Sequence, residues 1–160
     1  MLTKAKVGAA CCGLVLVVAG CGGGNDRLSA RDYAHQASAL CRRGNRAVAR
    51  IELPRFTAAS DGTPEAARAV TRIVVVQRDT IDELRDLRPP ERLSLTVQKW
   101  IALLDQGADE LELMALRMRG GHTDDALAYG AKAVILLDRA REVVAPLRVT
   151  SCRGPVLPTV

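Results

Sequence analysis

Histidine and carboxylate side chains are the usual metal ligands and acid–base catalysts of proteins. The two histidines, His35 and His122, are far apart in the chain, and neither has a second histidine at ligand spacing. A zinc site needs three or four converging ligands, and di-metal carboxylate bundles use Glu-x-x-His pairs, which this sequence lacks. We therefore predict no metal site, no cofactor and no catalytic residues.

Acidic residues cluster in two stretches of the chain. The stretches contain Asp79, Asp82, Glu83 and Asp86, and then Asp105, Asp109, Glu110 and Glu112. Arg78, Arg85 and Arg88 interleave with them, and opposite charges three or four positions apart pair on one helix face. We therefore predict a solvated, salt-bridged face.

Cys21 is the residue whose surroundings most clearly predict a chemical modification. Lys4 and Lys6 precede an apolar run of 13 residues, 7–19, and Val18-Ala19-Gly20 leads into the cysteine. This arrangement is typical of an export signal, and the run is short of the roughly 20 apolar residues that a membrane span needs. It resembles the lipobox of bacterial lipoproteins, which implies a diacylglyceryl group on Cys21 and cleavage just before it. Ordinary secretory cleavage is the alternative.

Cys41 and Cys152 remain once Cys21 is lipidated and the segment with Cys11 and Cys12 is removed. In an oxidising compartment, the two cysteines that remain are expected to form one disulfide. We predict a structural bridge, because the pair lacks the Cys-x-x-Cys spacing of redox-active thiols. Cys41 lies about three turns into the first predicted helix, so the chain after the last helix must fold back to that level.

Charge and aromatic content argue against nucleic acid as a partner. Without residues 1–20, the chain has 21 basic and 18 acidic residues, a net charge of +3. A nucleic-acid binder concentrates basic charge beside aromatic stacking partners. The aromatic residues here are widely spread: Tyr33, Phe56, Trp100 and Tyr129.

The first helix is predicted to begin at Ser29 and to end at Pro54. Ser29 and Asp32 have the spacing of a capping box, in which the serine oxygen accepts a backbone N–H and the acid reaches back. Apolar residues at three- and four-residue steps form one buried stripe, with Cys41 at its edge. The stripe consists of Tyr33, Ala37, Leu40, Ala47 or Val48, and Ile51.

Arginines follow the opposite face of this helix, at Arg31, Arg42, Arg43, Arg46 and Arg50. One interpretation is a solvated helix face. The other is attraction to anionic lipid headgroups, where each basic residue contributes on the order of 1 kcal/mol.

The second helix has a strong start, with Thr63 as cap, Pro64 at the first helical position and Glu65 in the first turn. Its buried seam has heptad spacing. The seam consists of Ala67, Val70, Val74, Gln77, Ile81, Leu84 and Leu87. Gln77 is expected to set the register or to lie at the surface edge, with a ligand role as the alternative. Pro89-Pro90 ends the helix.

The third helix is predicted from about Glu91 to Arg119, where Gly120-Gly121 supplies left-handed positions. Its core side consists of Leu93, Val97, Trp100, Leu104, Ala108, Leu111, Ala115 and Met118, widened by Ile101, Leu103 and Met114. Trp100 is the largest core candidate and needs a partner for its indole N–H; a place in a binding groove is the alternative.

The fourth helix is predicted to start with Thr123 as cap and to fray at Pro146. Its stripe consists of Leu127, Ala131, Val134, Leu137, Ala140 or Arg141, and Val144. Gly130 and the many alanines permit close approach of another helix.

Four amphipathic segments joined by short turns predict an all-α fold, an antiparallel up-down four-helix bundle with both chain ends at one end. We predict a lipoprotein signal peptide over 1–20 and a lipidated flexible tether over 21–28. The bundle occupies 29–152, and residues 153–160 form a loose tail.

An aromatic in the first helix, a cysteine soon after it, a Leu-Pro-Pro-like break and a final cysteine form a recognisable order. Here they are Tyr33, Cys41, Leu87-Arg88-Pro89-Pro90 and Cys152. This order resembles small exported helical lipoproteins of actinobacteria, and the tail after Cys152 is longer than in that group. The resemblance implies a disulfide-stapled helical bundle at the cell membrane and supplies no activity.

Together these features predict a non-enzymatic module, anchored by lipid to the extracytoplasmic face of the cell membrane. In one version the bundle binds an envelope protein through a helix face or serves a structural role. In the alternative version it carries a lipid or another apolar ligand between the third and fourth helices.

Overall fold

A computed structural model describes residues 27–54 and 63–152. Within them the chain forms four helices: α1 (Ala30–Val48), α2 (Thr63–Asp86), α3 (Ser94–Arg119) and α4 (Thr123–Val144). One 3-10 turn, Glu91–Leu93, precedes α3, and another, Ala145–Leu147, follows α4. The predicted signal peptide, Cys21, most of the predicted tether and the predicted tail after Cys152 lie outside the described residues.

The α1 helix begins where the sequence predicts and ends earlier. The Ser29 hydroxyl oxygen accepts the Asp32 N–H at 3.1 Å and donates to the Asp32 carboxylate at 2.6 Å. The predicted end at Pro54 is wrong, since α1 stops at Val48. Ile51 and Leu53 have left the helix and pack against the core formed by the other helices, a tertiary contact that local sequence does not encode.

The starts of α3 and α4 also differ from the prediction in detail. The third segment begins as the 3-10 turn after Pro90 and becomes α-helical only at Ser94. Gly121 has φ 75°, so one of the two glycines supplies the left-handed residue after α3. Thr123 is inside α4, and the capping position belongs to His122, whose side chain makes no capping hydrogen bond.

Consecutive helices run antiparallel, as residue pairs across each interface show. Between α3 and α4, Gly107 faces Leu137 and Gly130 faces Met114. Between α2 and α3, Arg119 donates to Thr71 whereas Arg85 reaches Asp105. Between α1 and α2, Gly44 faces Thr80 and the Leu28 N–H donates to the Arg88 carbonyl. The predicted up-down four-helix bundle is therefore confirmed.

The core divides into two clusters along the bundle axis. In the part that we call the four-helix half, buried residues come from all four helices and the C-terminal segment: Tyr33, Ala37, Cys41, Leu84, Val97, Trp100, Ala140, Val144, Leu147, Val149 and Cys152. In the three-helix half they come from α2, α3 and α4: Ala66, Ala67, Val70, Ile73, Val74, Leu111, Ala115, Met118, Ala126 and Ala133. Only the end of α1 reaches this second cluster, through Val48.

The buried stripe of α4 is partly different from the predicted one. Ala126 and Ala133 are buried, whereas Ala131 and Val134 of the predicted stripe are exposed. Small residues face α3 because the two helices lie close together, and this is the most extensive helix interface among the described residues. The prediction that Gly130 permits such an approach is confirmed, since a Cβ there would lie 3.1 Å from the Met114 sulfur.

Candidate functional site

The C-terminal segment closes the bundle by turning back onto α1. Arg148 adopts the left-handed conformation at φ 56°, and the chain after it runs along α1 to Cys152. Cys41 and Cys152 form a disulfide with their Cα atoms 4.9 Å apart, inside the range that a bridge requires. Asn45 Nδ2 donates to the Ser151 carbonyl at 2.8 Å. The predicted fold-back is confirmed, and Cys41 is buried, not at the edge of the stripe.

A cavity of about 50 Å³ lies beside this disulfide, between the two core clusters. All four helices contribute to its wall, among them Gly44, Gln77, Leu104 and Leu137. Ligand sites for organic molecules are several times larger, roughly 300–1,000 Å³. Gln77 is partly buried, in keeping with a place at the edge of the seam, and its amide oxygen has no hydrogen-bond donor among the described residues.

The interface between α3 and α4 is filled by side chains inserted against glycines. A Cβ on Gly107 would lie 3.1 Å from Leu137 Cδ2, and a Cβ on Gly130 would lie equally close to the Met114 sulfur. Both side chains therefore occupy the space that glycine leaves open. An apolar ligand between α3 and α4 would have to displace them.

A network of ion pairs covers the outer face between α2 and α3. Arg78 pairs with Asp105, Asp109 and Glu112, and Arg85 pairs with Asp82 and Asp105. The hydrogen bond with the Asp109 carboxylate raises the pKa of Arg78, and the bond with Asp105 does the same for Arg85. The predicted salt-bridged face is confirmed for these residues.

No three His, Cys, Asp or Glu side chains of residues 27–54 and 63–152 are grouped as a metal site requires. His35 and His122 are both exposed, on α1 and in the turn before α4. In the same part of the chain, no helix combines the length and the apolar content needed to cross a membrane.

The arginines of α1 are spread along the helix and differ in their contacts. Arg43 forms an ion pair with Glu83 of α2. Arg42 lies 3.5 Å from the Ser151 hydroxyl. Arg31 in the first turn and Arg46 in the last turn are exposed and about 22 Å apart along the axis, at 1.5 Å per residue, and Arg50 is exposed beyond the end of the helix. They therefore do not form one compact patch.

The last residues of the predicted tether contact the corner between α2 and α3. Arg27 pairs with Glu91 at 2.7 Å and donates to the Pro89 carbonyl at 3.1 Å. The Leu28 N–H donates to the Arg88 carbonyl at 2.8 Å, and the Leu28 side chain packs against the core of the four-helix half. The sequence gives no signal for these contacts, because they join residues about 60 positions apart.

Leu95, at the start of α3, was also missed as a surface feature. Its side chain is 80% exposed, the largest exposed fraction among the large apolar residues described. The one signal for this exposure in the sequence is that Leu95 does not belong to the predicted core side of α3.

Comparisons with protein-family models, with curated proteins and with solved structures find no match to this chain.

Proposed function

We propose that this chain is an exported lipoprotein whose helical bundle is a binding or structural module on the extracytoplasmic face of the cell membrane. A diacylglyceryl thioether on Cys21 is the anchor, and no catalysis is involved. The observation that carries the proposal is Val18-Ala19-Gly20-Cys21 at the end of a basic and then apolar N-terminal segment. The resemblance to small exported lipoproteins of actinobacteria points the same way.

The pairing of the other cysteines supports this proposal. Cleavage before Cys21 leaves three cysteines, and the structure joins Cys41 to Cys152. Cys21 is then the one thiol of the mature chain without a partner, which suits a residue reserved for lipid. A buried disulfide also suits an exported chain, because disulfides persist in oxidising compartments and are rare in the cytosol.

A protein partner is favoured over carriage of an apolar ligand. The α3–α4 interface is filled at Gly107 and Gly130, and the cavity beside the disulfide is far smaller than a ligand site. Within residues 27–54 and 63–152, five of the six exposed large apolar side chains lie outside the four-helix half. They are Val75, Leu113, Leu116, Val134 and Ile135. Exposed apolar residues on neighbouring helices are what a docking partner covers.

Replacement of Cys21 tests the anchor. We expect Cys21→Ala to move the protein from the membrane fraction to the soluble fraction, because alanine has no sulfur to which the diacylglyceryl group could be attached. Cys12→Ala is the matched control, since it changes a cysteine of the segment that is removed, and it should leave the protein in the membrane fraction. A Cys21→Ala protein that has lost its N-terminal segment and still sediments with membranes would refute lipid anchoring.

Crosslinking in intact cells tests the binding role. We expect a defined protein attached to the three-helix half, and Leu116→Ser should reduce that product whereas Leu95→Ser should not. The carrier alternative predicts instead an apolar molecule extracted with organic solvent in about equimolar amount with the purified protein. Extraction of such a molecule, without any crosslinked protein, would replace the first version with the second.

A further inference from the structure

The described chain begins at a particular end of the bundle, which we call the tether end. It consists of Arg27 and Leu28, the α2–α3 corner over 87–95, and the turn at 145–149. Two contacts hold Arg27 and Leu28 there: the Arg27–Glu91 ion pair at 2.7 Å and the hydrogen bond from the Leu28 N–H to the Arg88 carbonyl at 2.8 Å. Arg27, to which residue 26 is joined, therefore lies at this end.

The distance between Cys21 and the tether end is limited by chain length. Six peptide units separate Cys21 from Arg27, and at about 3.6 Å each they cannot span more than about 22 Å. The bundle is longer than this, since the 26 residues of α3 measure about 39 Å. A lipid on Cys21 thus keeps the tether end close to the membrane surface and leaves the opposite end out of reach in an upright bundle.

The tether end combines an exposed apolar side chain with an excess of arginine. Leu95 is 80% exposed, and because helical side chains lean toward the helix N-terminus, it leans toward this end. Arg92 is exposed one turn before it. The basic residues of the tether end and the adjoining first turn of α1 are Arg27, Arg31, Arg88, Arg92 and Arg148, against the acidic Asp32 and Glu91. Of these acids, Glu91 pairs with Arg27 and Asp32 accepts from Ser29.

We infer that the tether end docks on the anionic lipid surface that carries the anchor, with Leu95 at the headgroup boundary and Arg92 among the phosphates. This inference rests on the proposed lipidation of Cys21. An apolar side chain among cations is the composition that binds at a membrane interface, and basic residues close to an anionic leaflet are attracted within about one Debye length. The bundle then stands upright, and its three-helix half points away from the membrane.

This orientation differs from one in which the α1 arginines contact the lipid. Arg43 is paired with Glu83, and Arg50 lies at the end of α1 away from the tether. A bundle that used the whole α1 face would have to lie flat. The two orientations therefore predict protection of different segments.

Hydrogen–deuterium exchange of the full lipidated protein in vesicles tests the inference. Vesicles of phosphatidylglycerol and phosphatidylcholine are compared with vesicles of phosphatidylcholine alone. We expect the backbone amides within 88–96, other than the two proline positions, to exchange about fivefold more slowly on the anionic vesicles, the factor that one basic residue at such a surface supplies. Arg92→Glu and Leu95→Ser should each remove most of this difference. Arg72→Glu and Leu116→Ser, in exposed positions of the three-helix half, are the matched controls and should preserve it.

The other possible outcomes refute either the docking of the tether end or the proposed function. If the protein floats with both vesicle types and residues 88–96 exchange equally on them, the anchor stands and the docking is refuted. If protection instead follows α1 and is lost in Arg46→Glu, the bundle lies flat and the docking is again refuted. If the purified chain carries no lipid and does not float, the proposed function fails, and this inference with it.

Discussion

Two large aromatic residues of the core bury polar atoms that have no partner among the described residues. Tyr33 and Trp100 are both fully buried in the four-helix half. Neither the Tyr33 hydroxyl nor the Trp100 Nε1 makes a hydrogen bond within the described part of the chain, so the partner that we expect the Trp100 indole to need is not found there. A buried polar group without a partner costs about 1–3 kcal/mol. Packing of the rings must outweigh this cost.

Tyr33→Phe should therefore stabilise the protein. The substitution removes the unpaired hydroxyl and keeps the ring, so we expect the free energy of unfolding to rise by about 1–2 kcal/mol. Urea unfolding at neutral pH followed by circular dichroism measures it, with Tyr129→Phe as control. A loss of more than about 1 kcal/mol would show that the hydroxyl has a partner.

The same variant tests the titration of Tyr33 in alkali. Burial disfavours the phenolate and raises the pKa of Tyr33 from 10.0 to about 12. Between these values the unfolded chain loses the proton and the folded chain retains it, so stability falls as pH rises from 10 to 12. The expected loss is about 2–3 kcal/mol. Tyr33→Phe should lack this component, and equal pH profiles for both proteins would contradict the burial.

Gly44 is required where α1 crosses α2. A Cβ at this position would lie 2.5 Å from Thr80 Oγ1, and that hydroxyl is held by a 2.8 Å hydrogen bond to the Val76 carbonyl. The β-branched threonine has little freedom to move away. We expect Gly44→Ala to cost about 1–3 kcal/mol.

Thr80→Ala supplies the background that isolates this clash. With the hydroxyl and the methyl group gone, Gly44→Ala should become neutral or stabilising by up to about 1 kcal/mol, because alanine favours a helix over glycine. Gly130→Ala is a second control, since flexible Met114 can move aside. Equal costs of Gly44→Ala in both backgrounds would refute a contact with Thr80.

At the scale of elements, periodicity and helix-capping residues predicted most of the fold. The Ser29 cap, the break at Pro89-Pro90 and the core side of α3 around Trp100 all lie where the sequence indicates. These features are local, because a cap or a proline acts within one turn. The cysteine pair was predictable for a different reason, because Cys41 and Cys152 are the two cysteines that remain once residues 1–20 and Cys21 are set aside.

The failures of prediction occurred where tertiary packing decides. The α4 helix carries apolar residues around most of its circumference, so its sequence does not show which side faces α3. Because α3 and α4 lie close together, the small residues Ala126 and Ala133 are buried and Val134 is exposed. The α1 helix ends at Val48, and Ile51 and Leu53, which lie outside the helix, pack against the core of the three-helix half. The contact of Arg27 with the α2–α3 corner likewise joins distant parts of the chain.

The disulfide holds the C-terminal segment on α1, where helix packing is otherwise limited. No extensive α1–α4 interface is present among the described helices. The bridge closes a loop with a sequence separation of 111, and loss of a native bridge typically costs about 2–5 kcal/mol. We expect the double variant Cys41→Ala with Cys152→Ala to lose stability in this range while its helical circular dichroism persists.

Alkylation under non-reducing conditions is the companion measurement. The wild-type protein should expose no alkylatable thiol from Cys41 or Cys152, and reduction should expose both. Cys21→Ala serves as the control, since it should unfold at the same denaturant concentration as the wild type. A double variant as stable as the wild type would contradict a structural role for the bridge.

At the scale of the whole molecule, the bundle has two unequal ends. The tether end brings together Arg27 and Leu28, the turn at 145–149 and the exposed Leu95. The other half has three helices around its core and most of the exposed apolar side chains. This difference between the two ends matches the proposed division of roles, in which one end faces the lipid and the other binds a partner.

Intact mass spectrometry of the mature protein purified from membranes tests the central claim most directly. We predict an N-terminus at Cys21 with a diacylglyceryl group on its sulfur, and a disulfide between Cys41 and Cys152. A chain that still begins at Met1, a terminus at any other position, or an unmodified Cys21 would contradict it.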